Sequence, residues 1–150
     1  MTLQVQKSIE NGAKVVYGSL DYKMTDPNLK DGNFFHPMVI ENITRNQPAY
    51  SEELFGPVFS LFKFKRGLEA VELANESIYG LSASIFTNDR KRAERKAAML
   101  EVGAVFINEA VSSDPAIPNG GIKDSGYGRE CYKDGFMETC NRKALVFAKL

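Results

Sequence analysis

Residues 81–108 read LSASIFTNDRKRAERKAAMLEVGAVFIN. The outer runs, LSASIFT and VGAVFIN, are short and carry the β-branched and aromatic residues of strands. The charged stretch between them has helical composition through about Leu100. Asn88 can cap it, and Ala93, Ala97 and Leu100 share its inner face. Upstream, VFSLFKFK (58–65) alternates in part, as a strand does. GLEAVELANES (67–77) spaces Leu68, Val71 and Ala74 three apart, which predicts a helix with one apolar face. Strand, helix, strand, helix, strand with short connections implies right-handed crossovers and a parallel sheet, hence the α/β class.

The flanks are less regular. MTLQVQKSIENGAK predicts the end of a helix stopped at Gly12, and AKVVYG a short strand. Residues 19–33 form a polar surface loop. FFHPMVIENI reads as a strand, and Pro37 near its start predicts an edge position or a bulge. RNQPAYSEELFGP is irregular or briefly helical. A long irregular stretch follows Asn108 to about Glu130, then a short helix over 130–139. ALVFAKL (144–150) ends the chain as a strand. It can pair within its own sheet or add to the sheet of a neighbouring subunit, and the residues alone leave the two even.

Composition narrows the class. The 150 residues suffice for one domain with a core, and 43% hydrophobic against 25% charged residues exclude disorder. Lysine plus arginine equals aspartate plus glutamate, 19 of each, so no nucleic-acid partner is predicted. The basic run from Asp89 to Lys96 contains acids and reads as a solvated helix face in preference to an anion-binding patch. No stretch approaches the roughly 18 apolar residues of a membrane span, and the N-terminus has no apolar signal core. With Cys131 and Cys140 the only cysteines, a cytoplasmic protein is expected. His36 is the only histidine, so a zinc cage is not expected.

The stretch NGGIKDSGYGRE (119–130) has the look of a phosphate loop. It fails the tests. A P-loop needs lysine and a hydroxyl after its second glycine, but Tyr127 and Gly128 follow Gly126. A dinucleotide fingerprint beginning at Gly126 has Cys131 at its third glycine position, and DPAIPNGG before it is no strand. The glycines instead mark a tightly folded path across another element, which Arg129 and Glu130 can fasten through charged hydrogen bonds.

Cys131 follows those glycines at a possible helix start, where a thiolate would be favoured, but an inert free thiol is the stronger reading. Cys140 and His36 show no acid–base partner. Glu52 and Glu53 stand before an aromatic, a glycine and a proline. A carboxylate there could hold two sugar hydroxyls, but the residues alone favour a first-turn helix acid.

SEELFGPVFSLFKF, AVELANESIYGLSASIFTND, EVGAVFIN and the final P-x-GG-x-K-x-SG-x-GRE pattern together resemble the NAD(P)-dependent aldehyde dehydrogenase superfamily. The motifs keep the family's order and spacing over essentially the whole chain, and SDPAIPNGGIKDSGYGRE looks most like the succinate-semialdehyde branch. The resemblance implies the second half of a catalytic α/β domain with its parallel sheet over residues 1–141. Residues 142–150 would be an oligomerisation strand that joins a partner subunit, as a homo-oligomer or with a longer relative. It implies that Glu53 holds the nicotinamide ribose hydroxyls of NAD or NADP and that Phe55 lies beside the nicotinamide. Gly120 and Gly121 would close the substrate mouth. Asn119 stands where relatives usually have a phenylalanine lining the aldehyde tunnel, and an amide would polarise and loosen that wall.

The family's chemistry begins with a cysteine thiolate attacking the aldehyde; hydride then passes to the nicotinamide and a glutamate-activated water releases the acid. The G-Q-x-C type stretch of the nucleophile matches nothing in these residues, and neither do the family's glutamate base and cofactor phosphate loop. Gly128-Arg129-Glu130-Cys131 sits in the wrong motif to replace it. The expectation is therefore a C-terminal portion of an aldehyde dehydrogenase that, alone, neither binds NAD(P) tightly nor oxidises aldehydes. The alternative is a non-catalytic module that assembles through ALVFAKL. An enzyme built on Cys131 is the remote third.

Overall fold

The charged helix between two strands is where sequence and structure agree best. In the computed structural model, which describes residues 1–149, helix α4 (Arg90–Ala97) links strand β5 (Ser82–Ile85) to β6 (Ala104–Ile107). The two strands pair in parallel, from Ser82 opposite Ala104 to Ile85 opposite Ile107. Ala93 is buried on the inner face of α4, with Ala97 and Leu100 half-buried beside it. The cap is one residue later than Asn88: the Asp89 carboxylate accepts from Arg92 N–H at 2.9 Å. Asn108, at φ +58, extends the ladder with its side chain, accepting from Thr87 N–H at 2.7 Å and donating to Thr87 C=O at 2.9 Å.

The chain divides into two units, Met1–Phe64 and Lys65–Leu150. In the first, the order is α1 (Thr2–Glu10), β1 (Lys14–Tyr17), β2 (Met38–Glu41), α2 (Pro48–Ser51) and β3 (Val58–Leu61). Gly12 ends α1 as expected, at φ +102, its N–H donating to Ile9 C=O. The sheet order is β1-β2-β3, antiparallel then parallel. Strand β2 is therefore central and not at an edge, and of the two alternatives read from Pro37 it is the irregular register that occurs, between Val15 and Tyr17 in the β1–β2 ladder. The proline lies just before the strand, and Met38 N–H reaches Pro57 C=O at 2.9 Å. Alternation along β2 turns Met38 and Ile40 onto the helices, where they join Val5 and Ala49 in a fully enclosed core. Burial of each of the two large side chains contributes about 1.5–3 kcal/mol. Ser8 is buried as well. Its hydroxyl donates to Gln4 C=O and accepts from Ala49 N–H at 3.0 Å, so it ties α1 to α2.

In the second unit, α3 (Gly67–Asn75) precedes β4 (Tyr79–Gly80), and β7 (Ile122–Lys123) and α5 (Tyr132–Glu138) follow β6. On α3 the buried residue is Val71; Leu68 and Ala74 are exposed, so the apolar face turns toward Ala70 and Val71 rather than along the three-apart stripe. Asn75 secures the end of α3, donating to Met99 C=O at 2.8 Å and accepting from Glu101 N–H at 2.9 Å.

Two parallel pairs form, β2–β3 in the first unit and β5–β6 in the second, and the strands are grouped as β1-β2-β3, β4-β7 and β5-β6. The irregular stretch after Asn108 hides β7, whose two residues are too few to show a period. Residues 144–149 join no sheet and are exposed, and Leu150 lies outside the described residues. A strand needs a partner edge, and no described strand pairs with this segment.

Candidate functional site

Glu53 and Phe55 belong to the first unit. Helix α2 begins with Pro48 in its first turn, where the missing N–H costs nothing, and stops at Glu52, which is already extended. The chain then alternates: Leu54 packs against the core while Glu53 and Phe55 face solvent. Two tight backbone turns follow, Gly56 N–H to Leu54 C=O at 2.7 Å and Val58 N–H to Gly56 C=O at 2.8 Å. They lead the chain into β3.

Gln4 on α1 distinguishes the two glutamates. Its side-chain amide donates to the Glu52 carboxylate at 2.8 Å and to Glu53 C=O at 3.3 Å. Glu52 is thereby engaged, whereas the Glu53 carboxylate has no hydrogen-bond partner among the described residues. Phe55 is 85% exposed. An unengaged carboxylate one residue removed from a bare aromatic ring can accept two vicinal hydroxyls and cover a flat ring.

Asn119, Gly120 and Gly121 belong to the second unit, in a clasp made by NGGIKDSGYGRE. Asn119 and Glu130 bridge in antiparallel fashion, N–H to C=O at 2.9 and 2.8 Å, and the Asn119 amide also donates to the Glu130 carboxylate at 2.8 Å. Arg129 donates to Gly121 C=O at 3.0 Å and Gly128 C=O at 2.6 Å. Arg129 and Glu130 thus fasten the loop, as their charge and position imply. The bond from the Asn119 amide to Glu130 fastens that end of the turn. Gly103 explains a further constraint: a Cβ there would collide with the carbonyl of Gly120, so only glycine lets β6's entry pass so close to the turn.

Lys123, the basic residue that made this stretch look like a phosphate cradle, is fully engaged. Its ammonium donates to Asn75 C=O at 2.8 Å and Ser77 C=O at 3.0 Å and pairs with Glu101 at 2.7 Å. These are carbonyls at the C-terminal end of α3, where a cation is favoured. Sequence reading missed this role, since nothing in the loop shows that its lysine meets a helix end more than forty residues upstream.

The remaining candidates stay apart. Cys131 is half-buried at φ +62, and Cys140 is exposed; both are free thiols. His36 lies against the rings of Tyr17 and Tyr22, at 6.0 and 4.6 Å between centroids. Among the described residues, no group of three or more metal-ligating side chains occurs, and no helix is long and apolar enough to cross a membrane. In the first unit, a cleft of about 390 Å³ opens beside Lys14, Glu41, Leu61 and Lys63. The Lys63 ammonium, hydrogen-bonded to Glu41 at 2.7 Å, holds that carboxyl below its ordinary range, with Lys14 at 3.8 Å adding to the effect.

Comparison with known proteins places this geometry. The model of the aldehyde dehydrogenase family matches residues 1–145. The NAD(P)+ succinate semialdehyde dehydrogenase of Escherichia coli K12 is 44% identical over 138 residues, covering 92% of this chain and 29% of that enzyme. Human 4-trimethylaminobutyraldehyde dehydrogenase is 43% identical over 126 residues, covering 84% of this chain and 26% of that enzyme. The crystal structure of the Streptococcus pyogenes succinic semialdehyde dehydrogenase with NADP+ superposes with a TM-score of 0.89 at 37% identity, over 99% of this chain and 31% of that one. The chain thus spans less than a third of the length of each. On the family match, the shared sequence and the shared fold, the chain belongs to the aldehyde dehydrogenase family.

Proposed function

We propose that these residues supply the nicotinamide-ribose contact and the substrate mouth of an NAD(P)-dependent aldehyde dehydrogenase, acting on succinate semialdehyde. The observation that carries the reading is the division of labour between adjacent glutamates: Gln4 engages Glu52 and leaves Glu53 unpaired beside the exposed Phe55. In this reading Glu53 accepts the ribose hydroxyls and Phe55 limits where the nicotinamide ring can lie. When bound, NAD(P) supplies the acceptor for the hydride of the aldehyde. Asn119, Gly120 and Gly121 shape the wall past which the aldehyde enters, held in place by Glu130 and Arg129. Residues 1–141 are then part of the catalytic domain and 142–150 an oligomerisation strand.

The test is a chimera of the E. coli enzyme carrying these residues in place of its matching segment. It should oxidise succinate semialdehyde with NAD(P). Glu53→Gln should raise KM for the cofactor roughly tenfold, the loss of about one charge-assisted hydrogen bond, with a smaller effect on KM for the aldehyde. A folded chimera inactive toward every aldehyde, or one indifferent to Glu53→Gln, would overturn the reading. The 150-residue chain on its own should show no aldehyde-dependent reduction of NAD(P), because the family's nucleophile motif matches none of its residues.

A second reading is assembly without catalysis. It is favoured by the segment 144–149, which joins no sheet while Leu145, Val146 and Phe147 stand exposed. In that case the purified chain self-associates in light scattering, and deleting residues 144–150 returns it to a monomer.

A further inference from the structure

The basic run of α4 is more organised than its composition shows. A Cβ placed on Gly67, the first residue of α3, would stand 3.1 Å from a terminal guanidinium nitrogen of Arg92 and 3.9 Å from the ammonium of Lys96. The nearest Lys96 atom is its Cε at 3.4 Å, so the ends of both side chains lie beside backbone that carries no side chain. Lys65 and Arg66 immediately precede Gly67. Neither Arg92 nor Lys96 forms an ion pair among the described residues; the pair on α4 is Arg90–Glu94, at 3.0 Å. The acid nearest in sequence, Glu69, is turned onto the backbone N–H groups of Lys65 at 3.0 Å and Arg66 at 3.4 Å.

Like charges four apart on a helix destabilise it, and their convergence on one spot is offset when an anion sits between them. A planar guanidinium beside a compact ammonium suits the oxygens of a phosphate group. The helical period explains why the other cations do not join: Lys91 and Arg95 lie about 100° around α4 from Arg92 and Lys96.

We propose that Arg92 and Lys96, closing over the bare backbone of Gly67, form a binding site for a small phosphate-bearing anion, with Lys65 and Arg66 adding to its positive field. The site uses none of the residues assigned above to cofactor or substrate, and it stands or falls independently of them.

The test is titration of the 150-residue chain with inorganic pyrophosphate at low ionic strength, by calorimetry and by the backbone amide signals of Gly67 and Leu68. Saturable binding with shifts at those amides is expected. Arg92→Ala with Lys96→Ala should weaken it roughly tenfold to a hundredfold, the loss expected for charge-assisted hydrogen bonds. Lys91→Ala with Arg95→Ala has the same net charge and should change it by no more than about twofold, the effect of screened distant charge. Gly67→Ala favours the helix, so the fold is kept, and its methyl group stands where both side chains reach; it should weaken binding without changing charge. Equal losses in the two double variants, undiminished binding in Gly67→Ala, or no saturable binding at all would overturn the site. So would binding of a single-stranded DNA oligomer without binding of pyrophosphate.

Discussion

Asn119 and Glu130 are joined by three hydrogen bonds: two between their backbones, at 2.9 and 2.8 Å, and one from the Asn119 amide to the Glu130 carboxylate, at 2.8 Å. The glycine-rich loop is thereby closed at its two ends. A phenylalanine at position 119 could make the backbone pair but not the third bond. The amide therefore adds a polar fastening to the bridge.

Asn119→Ala should remove that third bond and keep the other two. Because the pair is exposed, the loss should be about 0.5–1 kcal/mol in urea denaturation. Amide exchange at Asn119 and Glu130 should quicken together, since both depend on the same bridge. Unchanged exchange at both positions would mean that the side-chain bond does not hold the clasp.

Lys123→Met should cost more, about 1–3 kcal/mol. The lysine side chain is only 23% exposed, and its removal strands the carbonyls of Asn75 and Ser77 along with the Glu101 carboxylate. Glu101 is 57% exposed and can rehydrate, which keeps the value near the lower end. Thermal denaturation of the two chains side by side measures it. A melting temperature equal to that of the unsubstituted chain would show that the loop does not rely on the end of α3.

Glu41 sets an acid limit on the first unit. Lys63 depresses its folded pKa below the ordinary carboxylate value. The folded state therefore binds fewer protons than the unfolded one through this range, and stability falls as pH falls. The contribution is complete above the unfolded value of about 4.3 and is lost as pH drops through the lower, folded value. Glu41→Gln should flatten this part of the stability profile below the unfolded value while leaving its neutral-pH limb parallel to that of the parent. Profiles of identical slope below pH 4.3 would remove Lys63 as the cause.

The crossover β5–α4–β6 was legible because each piece exceeds the length at which its period shows: four strand residues, eight helical residues, four strand residues. Strand β7 has two residues and no readable period; β4 pairs with it from more than forty positions upstream. Pro37 left edge and bulge open; it stands just outside β2, and the register shift falls opposite Val39 and Ile40 while the strand itself is central. At the site, the SEELFGP motif pointed to the Glu52–Glu53 pair through family resemblance alone. The difference between Glu52 and Glu53 rests on Gln4, which no local pattern connects to them.

The sequence by itself determined the family, the α/β class, the local helices and strands, and the loss of both phosphate-loop readings, because each depends on residue types at short fixed spacing. Tertiary structure alone decided which strand pairs with which, where Lys123 places its charge, what holds Asn119, and that Arg92 and Lys96 both reach Gly67. Those outcomes depend on contacts between residues distant along the chain. Their free energies are set by burial, hydrogen bonding and like-charge repulsion, which exist only once the chain has brought the groups together.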